Sequence, residues 1–163
     1  MGEFYIMVKQ SAGILMYRNH GGRREVFLVH PGGPFWSKRD LTAWSIPKGE
    51  FAQDEDPLTA AKREFTEETG YAVEGDFIDL GNIRQPSGKR VRAWAIRGDC
   101  DAAAIKSNTF TMEWPPRSGQ IREFPEVDRA AWFDLTTARE KLHKGQVPLL
   151  DAFSRKLGEN QSG

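Results

Sequence analysis

Apolar positions come in short β-prone runs at the start of the chain. Ser11 to Tyr17 (SAGILMY) and Glu25 to His30 (EVFLVH) read as two strands, and the polar RNHGGRR between them reads as a hairpin loop longer than the tightest kind. HPGGPFWSKRD has two glycines and two prolines and is a loop. Thr42 to Ile46 forms a short strand candidate, ended by Pro47-Lys48-Gly49. The period then changes. From Asp56 to Thr69, Leu58, Ala61 and Phe65 fall on one stripe, which predicts an amphipathic helix. Asp56 is its capping residue, Pro57 its first helical position and Gly70 its stop.

Strand candidates follow at Asp76 to Gln85 and Val91 to Arg97, then a looser region from Gly98 to Pro125, then a strand at Val127 to Phe133. Thr136 to Leu142 and Pro148 to Leu157 read as helices, and residues 158–163 (GENQSG) as a flexible tail. There is no internal repeat, low-complexity tract or linker. Strands before, between and after one strong helix predict a single α/β domain over residues 1–157.

Composition narrows the function classes. A hydrophobic fraction of 39%, with five Trp and ten Phe in 163 residues, suits a globular domain with a real core. Lysine plus arginine balances aspartate plus glutamate at 23 each, so there is no strong nucleic-acid signal, and phosphate recognition has to be local. Cys100 is the sole cysteine, which excludes an intrachain disulfide and a cysteine zinc site and suits a reducing cytosol. No apolar run reaches the ~18 residues of a membrane span, and the N-terminus lacks a secretory pattern. A cytoplasmic protein is expected. Phe4, Tyr5, Ile6 and Val8 are open to an edge strand, a core strand or a homodimer contact.

One segment of the helix breaks the usual alternation of charge. In REFTEET, Glu64, Glu67 and Glu68 share a face at i, i+3 and i+4 spacing. The Glu64–Glu68 pair alone costs roughly 0.2–0.5 kcal/mol as like charges. A solvated acidic face is the plain reading. Yet the opposite face is apolar, so the helix is packed, and KGEFAQDED before it adds four more acids. Clustered carboxylates beside loop carbonyls suit hard divalent cations, and Mg²⁺ in particular pairs a few carboxylates with substrate phosphates.

Residues 49–71, GEFAQDEDPLTAAKREFTEETGY, resemble the signature of the Nudix hydrolases, G-x5-E-x7-R-E-U-x-E-E-x-G-U with U apolar. Gly49, Glu55, Arg63, Glu64, Glu67, Glu68 and Gly70 match every fixed position, and the U positions hold the bulkier Phe65 and Tyr71. SAGILMY, EVFLVH, WSIPKGE and PEVDRAAWFDL also fall where that family places strands. The resemblance implies an α/β/α sandwich with a mixed central sheet, of the small bacterial-type nucleoside-triphosphate pyrophosphohydrolase group.

It also implies roles. Glu64, Glu67 and Glu68, with the Gly49 carbonyl, would coordinate Mg²⁺ or Mn²⁺. Arg63 and Glu55 would orient those ligands, and Gly70 would stop the helix. Glu67 is the first choice for the base among the three acids. A loop acid, Glu126 before Glu123, is the alternative, against an ordinary exposed acid. Lys48 is a candidate phosphate contact, Trp36 or Phe35 a candidate base-stacking residue, and Arg84, with Lys89, Arg90 and Arg92, a candidate polyphosphate contact. His30 reads as structural, and His20 and His143 lack metal-ligand spacing. The expected substrate is a nucleoside triphosphate, cleaved to monophosphate and pyrophosphate, or a dinucleoside polyphosphate. Pro86, fifteen residues past Tyr71, keeps an ADP-ribose or other nucleoside-diphosphate pyrophosphatase as an alternative. A non-catalytic nucleotide sensor is the alternative of another class, and the retained acids argue against it.

Overall fold

In the computed structural model, which describes residues 9–161, the chain opens with a long hairpin. β1 (Gln10–His20) and β2 (Arg23–Pro31) pair antiparallel from Tyr17↔Val26 to His20↔Arg23. Only Gly21 and Gly22 are left to turn, with φ of 59° and 79°, the conformation that a tight hairpin with right-handed strand twist requires. The expected loop over residues 18–24 therefore shrinks to two residues. Polar side chains at the end of a solvent-exposed ladder do not interrupt its backbone pairing.

β3 (Lys48–Glu50) pairs with the first part of β1, Gly13 opposite Lys48 and Ala12 opposite Gly49. The strand expected at Thr42–Ile46 is thus displaced to Lys48–Glu50, which includes two of the residues, Lys48 and Gly49, expected to end it. Thr42 has a φ of 58°, and the amides that follow are pulled in different directions. Trp44 N–H donates to the Lys141 carbonyl at 3.0 Å, Ser45 N–H to Val29 at 2.9 Å and Ile46 N–H to the Gln146 side chain at 3.0 Å. Only two isolated bridges form there.

β4 (Ile78–Arg84), β5 (Arg90–Arg97) and β8 (Val127–Asp134) complete the main sheet, in the order β4-β5-β1-β2-β8 with β3 beside β1. β1 and β5 are parallel and the other pairs antiparallel, so the sheet is mixed. β6 (Thr109–Glu113) and β7 (Ile121–Pro125) form a separate hairpin inside the region expected to be irregular.

Alternation along the strands sorts the core into two layers. Ile14, Met16, Phe27, Val29 and Ile96 face one side, where α1 (Pro57–Thr69) lays down Ala60, Ala61 and Phe65. Leu15, Tyr17, Val26, Leu28 and Ala95 face the other. There they meet Ala138 of α2 (Leu135–Lys141), the following Leu142, and Leu149, Leu150 and Phe153 of α3 (Val147–Gln161). The result is the expected helix–sheet–helix sandwich. α3 continues beyond Leu157, so the expected tail is helical as far as Gln161. The candidate strand at Phe4 to Val8 lies outside the described residues.

The ends of α1 agree with the sequence. Asp56 accepts from the Thr59 N–H at 3.0 Å, Pro57 opens the helix, and Gly70 at φ 81° donates its N–H to the Thr66 carbonyl at 2.8 Å. The helix is held down by Phe65, fully buried, with its ring 6.0 Å from that of Phe27. Phe65→Ala is expected to lower stability by about 3–5 kcal/mol, transfer and cavity terms together. Urea denaturation should show this as a lower midpoint at unchanged slope. A midpoint equal to wild type would mean that α1 is not anchored this way.

Candidate active site

The acidic face of α1 is organised by one guanidinium. Arg63 forks onto Glu55, its Nε 3.1 Å from Oε2 and its Nη2 3.0 Å from Oε1. Nη1 then reaches Glu64 at 2.8 Å and Glu67 at 3.3 Å. This bidentate pairing has the geometry in which a guanidinium binds carboxylate most firmly. The bond to Glu55 leads the causes that push the Arg63 ionisation even higher than usual, so it stays cationic throughout. Glu64 is the innermost of the three acids, only 9% exposed.

Burial, then repulsion from Glu67, raises the Glu64 carboxyl above its ordinary value, against the pull of Arg63. Glu68 is pushed up to about 8 by burial, although the Lys48 N–H donates to its Oε1 at 3.0 Å. The Lys48 ammonium is lowered by its own burial, with Glu68 opposing the shift and Lys89 adding to it. Gly49 lies between these groups on β3. A Cβ built there would fall within the Glu64 carboxylate, so no other residue leaves that space open.

The facing wall comes from distant segments. A cleft of about 160 Å³ is lined by Glu68 and Lys48 on one side and by Glu126, Val127, Val29 and Pro31 on the other. It shares Pro31, Ser45 and Lys48 with an outer pocket of about 270 Å³, lined further by Trp36, Gln85, Lys89, His143 and Gln146. Most of the candidate residues are therefore brought together: Lys48, Gly49, Glu55, Arg63, Glu64, Glu67 and Glu68 around α1, Glu126 across the cleft, and Trp36 in the outer pocket. Gly70 stops α1.

Arg84 is not among them. It ends β4 opposite Arg90, is exposed, and lines neither pocket, whereas Gln85 and Lys89 beside it do. Pairing in the ladder aims alternate side chains to opposite faces, so a one-residue difference decides which reach the pocket. Pro86 sits in the turn closed by the Gly88 N–H on the Gln85 carbonyl, at 2.9 Å. Glu123 pairs with Thr111 in the β6–β7 hairpin and Phe35 stacks edge-on against Trp114; neither lines a pocket.

His30 is fully buried between Asp128, 2.8 Å from Nδ1, and the Arg39 carbonyl, 2.5 Å from Nε2, a structural role as expected. Sequence reasoning missed Gln85 and His143 as pocket residues, whereas Lys89, named there beside Arg84, lines the outer pocket. His143 accepts the Gly145 N–H at Nδ1, at 3.1 Å, which leaves Nε2 as the protonated nitrogen of the neutral ring.

Among the described residues, no three His, Cys, Asp or Glu side chains already stand as a finished metal cage. Glu64 and Glu67 turn to Arg63, and Glu68 turns to the Lys48 amide. The donor set nevertheless fits a hard divalent cation: all oxygen, mutually repelling and half-buried, with a glycine keeping space open beside the innermost carboxylate. Mg²⁺ is commonly bound by one or two carboxylates completed by substrate phosphate and water, and needs no dedicated cage.

Gly49→Ala is expected to leave the fold intact and to weaken divalent-ion binding, read by Mn²⁺ titration, because its methyl group would displace Glu64. Wild-type affinity would refute the role of the glycine. A second expectation concerns pH. Glu68 prefers to be protonated in the fold, so its contribution to stability is fully present below about pH 4.5 and is lost as pH rises through about 8. With chelator present, wild type should lose thermal stability relative to Glu68→Gln between those values. Parallel melting curves would contradict this.

No helix among the described residues is long and apolar enough to cross a membrane. The RNA pyrophosphohydrolase of Bartonella henselae is 28% identical to the chain over 148 residues, covering 79% of this chain and 78% of that protein. Among solved structures, a C. elegans Ap4A hydrolase in a binary complex matches with a TM-score of 0.65 at 22% identity, over 91% of this chain and 98% of that one. The NUDIX domain of Shewanella oneidensis NrtR, complexed with ADP ribose, matches with a TM-score of 0.64 at 17% identity, over 94% and 90%. At such identities the two structures bear on the fold. The NUDIX domain family model matches residues 7–153, from before β1 into α3, and the chain therefore belongs to the NUDIX family.

Proposed function

We propose that the protein is a divalent-metal-dependent pyrophosphohydrolase that cleaves a diphosphate linkage in a nucleoside polyphosphate, either a nucleoside triphosphate or a dinucleoside polyphosphate. One observation carries the reading. Glu68, beside the Arg63-bonded Glu64 and Glu67 on α1, and the separate acid Glu126 border one cleft, and that cleft shares Lys48 with a pocket that also holds Lys89 and Trp36.

Glu64, Glu67 and Glu68, with the Gly49 carbonyl, would hold Mg²⁺ or Mn²⁺. When bound, such an ion offsets phosphate charge and lowers the pKa of water. The chain's own residues divide the remaining work. Arg63 holds the Glu64 and Glu67 side chains in fixed orientation. Glu67 is tied to that guanidinium. Glu126 shares no ion pair with Arg63 and faces the cleft from the other wall, so it is the better acceptor for the proton of the attacking water. The water oxygen bonds to phosphorus, and the bridging oxygen leaves with the electron pair of the broken P–O bond.

Lys48 and Lys89 supply positive charge for phosphate oxygens, and Trp36 supplies a ring face for a nucleobase. The outer pocket is open enough for the part of the substrate that does not react.

The test is a panel of ATP, GTP, diadenosine tetraphosphate, a 5′-triphosphorylated RNA oligonucleotide and ADP-ribose, each with Mg²⁺ or Mn²⁺ and scored for phosphate, pyrophosphate and nucleotide products. At least one polyphosphate should be cleaved, and chelator should abolish the reaction. Glu126→Gln should lower kcat by about 10²-fold or more, the usual worth of a positioned base. Glu68→Gln should be as slow. No turnover on any polyphosphate, or acid variants as fast as wild type, would overturn the assignment. Preferential cleavage of ADP-ribose would move the substrate to the nucleoside-diphosphate class.

A further inference from the structure

The two walls of the cleft are joined by a run of main-chain hydrogen bonds that passes through residues outside the site. The last carbonyls of an α-helix have no partner within it. In α1 two of them are taken by the segment after the short helical turn at Ala102–Ala104. Lys106 N–H donates to the Thr69 carbonyl at 2.9 Å, and Asn108 N–H donates to the carbonyl of Glu67, one of the acids of the site, at 2.8 Å. The same Asn108 residue then turns its carbonyl to the opposite wall, where it accepts the Glu126 N–H at 2.8 Å. Ser107 reinforces this point: its Oγ accepts the Val127 N–H at 2.9 Å and donates to the Asn108 carbonyl at 2.6 Å.

On its far side Glu126 is held as tightly. Its carbonyl accepts the Gly32 N–H at 2.9 Å. A Cβ added to Gly32 would land on the Pro125 carbonyl oxygen, so the β2 loop and the peptide before Glu126 are in closest contact. Gly70, at φ 81°, lies under the same strap, and a Cβ there would be 3.2 Å from Lys106. One line of peptide groups therefore runs from Glu67 through Asn108 and Glu126 to Gly32.

We propose that Ser107, Asn108 and Gly32 are positioning residues for catalysis: their main-chain bonds set the reach of Glu126 towards the carboxylates of α1. The inference rests on the reading of Glu126 as the base. Its physical ground is that a loop acid has no position of its own. β7 ends at Pro125 and β8 starts at Val127, so Glu126 sits alone at the junction, and without the strap its backbone would follow the exposed β6–β7 hairpin. With the strap, its N–H and C=O are both fixed to segments packed against α1 and β2. A misplacement of about 1 Å in such a group can cost 10²-fold in rate.

The experiment combines kinetics with amide exchange. Ser107→Ala removes only the Oγ, Ser107→Thr keeps it, and Gly32→Ala pushes on Pro125. With the best-cleaved member of the panel, Ser107→Ala is expected to lower kcat about 10-fold and Gly32→Ala about 10²-fold, with KM within about 2-fold of wild type. Ser107→Thr should restore the rate. In a Glu126→Gln background neither change should cause further loss, because the group they position is already gone. Losses that persist in that background, or wild-type kcat in Ser107→Ala and Gly32→Ala beside a slow Glu126→Gln, would overturn the positioning and leave the base in place. A Glu126→Gln variant as fast as wild type would instead remove Glu126 from the reaction, and the strap's catalytic role with it.

Hydrogen exchange gives a readout independent of turnover and of any variant failing to fold. In the wild type the amides of Asn108, Glu126 and Gly32 should exchange slowly, and in Ser107→Ala those of Glu126 and Val127 should exchange faster. Rapid exchange at these amides in the wild type would overturn the proposal even if no substrate in the panel were cleaved.

Discussion

Arg63 distributes its donors among three carboxylates, and the arrangement of the site follows from that sharing. Glu64 and Glu67 occupy neighbouring positions on a helix face and repel each other, and Glu64 is buried as well. A buried carboxylate with no cation nearby would protonate and lose its charge. The guanidinium opposes this from the Glu55 side, although burial still leaves the Glu64 carboxyl above its ordinary value, and it lines neither pocket. Glu55 is what keeps it there: the bidentate fork fixes the plane of the guanidinium and leaves only Nη1 to turn inward.

The scaffold supplies the rest through backbone contacts. β1 lies at the middle of the sheet and has β5 on one side and β3 and β2 in succession on the other. Three residues of β3 carry the Lys48 amide and Gly49, and pairing with β1 fixes them opposite Ala12 and Gly13. A Cβ at Gly13 would crowd Lys48, Ile46 and the Pro47 carbonyl at 2.8 Å each. Gly13 therefore allows a closer approach of this segment to β1 than a side chain would permit, and Gly49 does the same for Glu64 of α1. α1 packs over this point through Phe65, so burial of apolar surface on one face holds the acids on the other. The apolar stripe and the acidic stripe of the helix are parts of one device, the first supplying the stability that the second consumes.

How far the sequence can be read depends on whether the determining interactions are local. The boundaries of α1 were legible to the residue, since Asp56, Pro57 and Gly70 act within a turn of the helix they limit. The fixed spacing of Glu55, Arg63, Glu64 and Glu67 was legible for the same reason. The hairpin turn was overestimated because polar residues at 18–20 and 23–24 give no apolar alternation. Thr42–Ile46 looked like a strand but divides its amides among three neighbours, and no sequence pattern reports that. The β6–β7 hairpin was invisible because its strands are mostly exposed and are interrupted by the EWPPRSGQ segment. Glu126 could be nominated by its place before β8, yet its position opposite Glu68 depends on where four separate segments meet. Lys89 reaches the outer pocket from the turn between β4 and β5 and His143 from the segment after α2, and nothing in their local sequence separates them from Arg84, which does not reach it.

Two kinds of residue thus build the site, and they leave different traces. Side chains that hold charge, such as Arg63 and Glu64, must be particular residues at particular spacings, so they form a motif. Residues that act through their peptide groups, such as Asn108, tolerate most side chains and form none. Gly32 and Gly49 stand between the two cases, identifiable only once the atom that a Cβ would strike is known. The proposed base on a loop and the carboxylates on a helix belong to different parts of the fold, and the proton transfer proposed for them requires their separation to be constant. Side-chain contacts across a solvated cleft cannot provide that constancy, because water competes for each of them. Main-chain hydrogen bonds at the edge of the cleft can, since they tie Glu126 to α1 and β2, which are themselves fixed by packing. The same reasoning explains why chemistry in such a fold can be carried by a short motif while its geometry is spread over most of the chain.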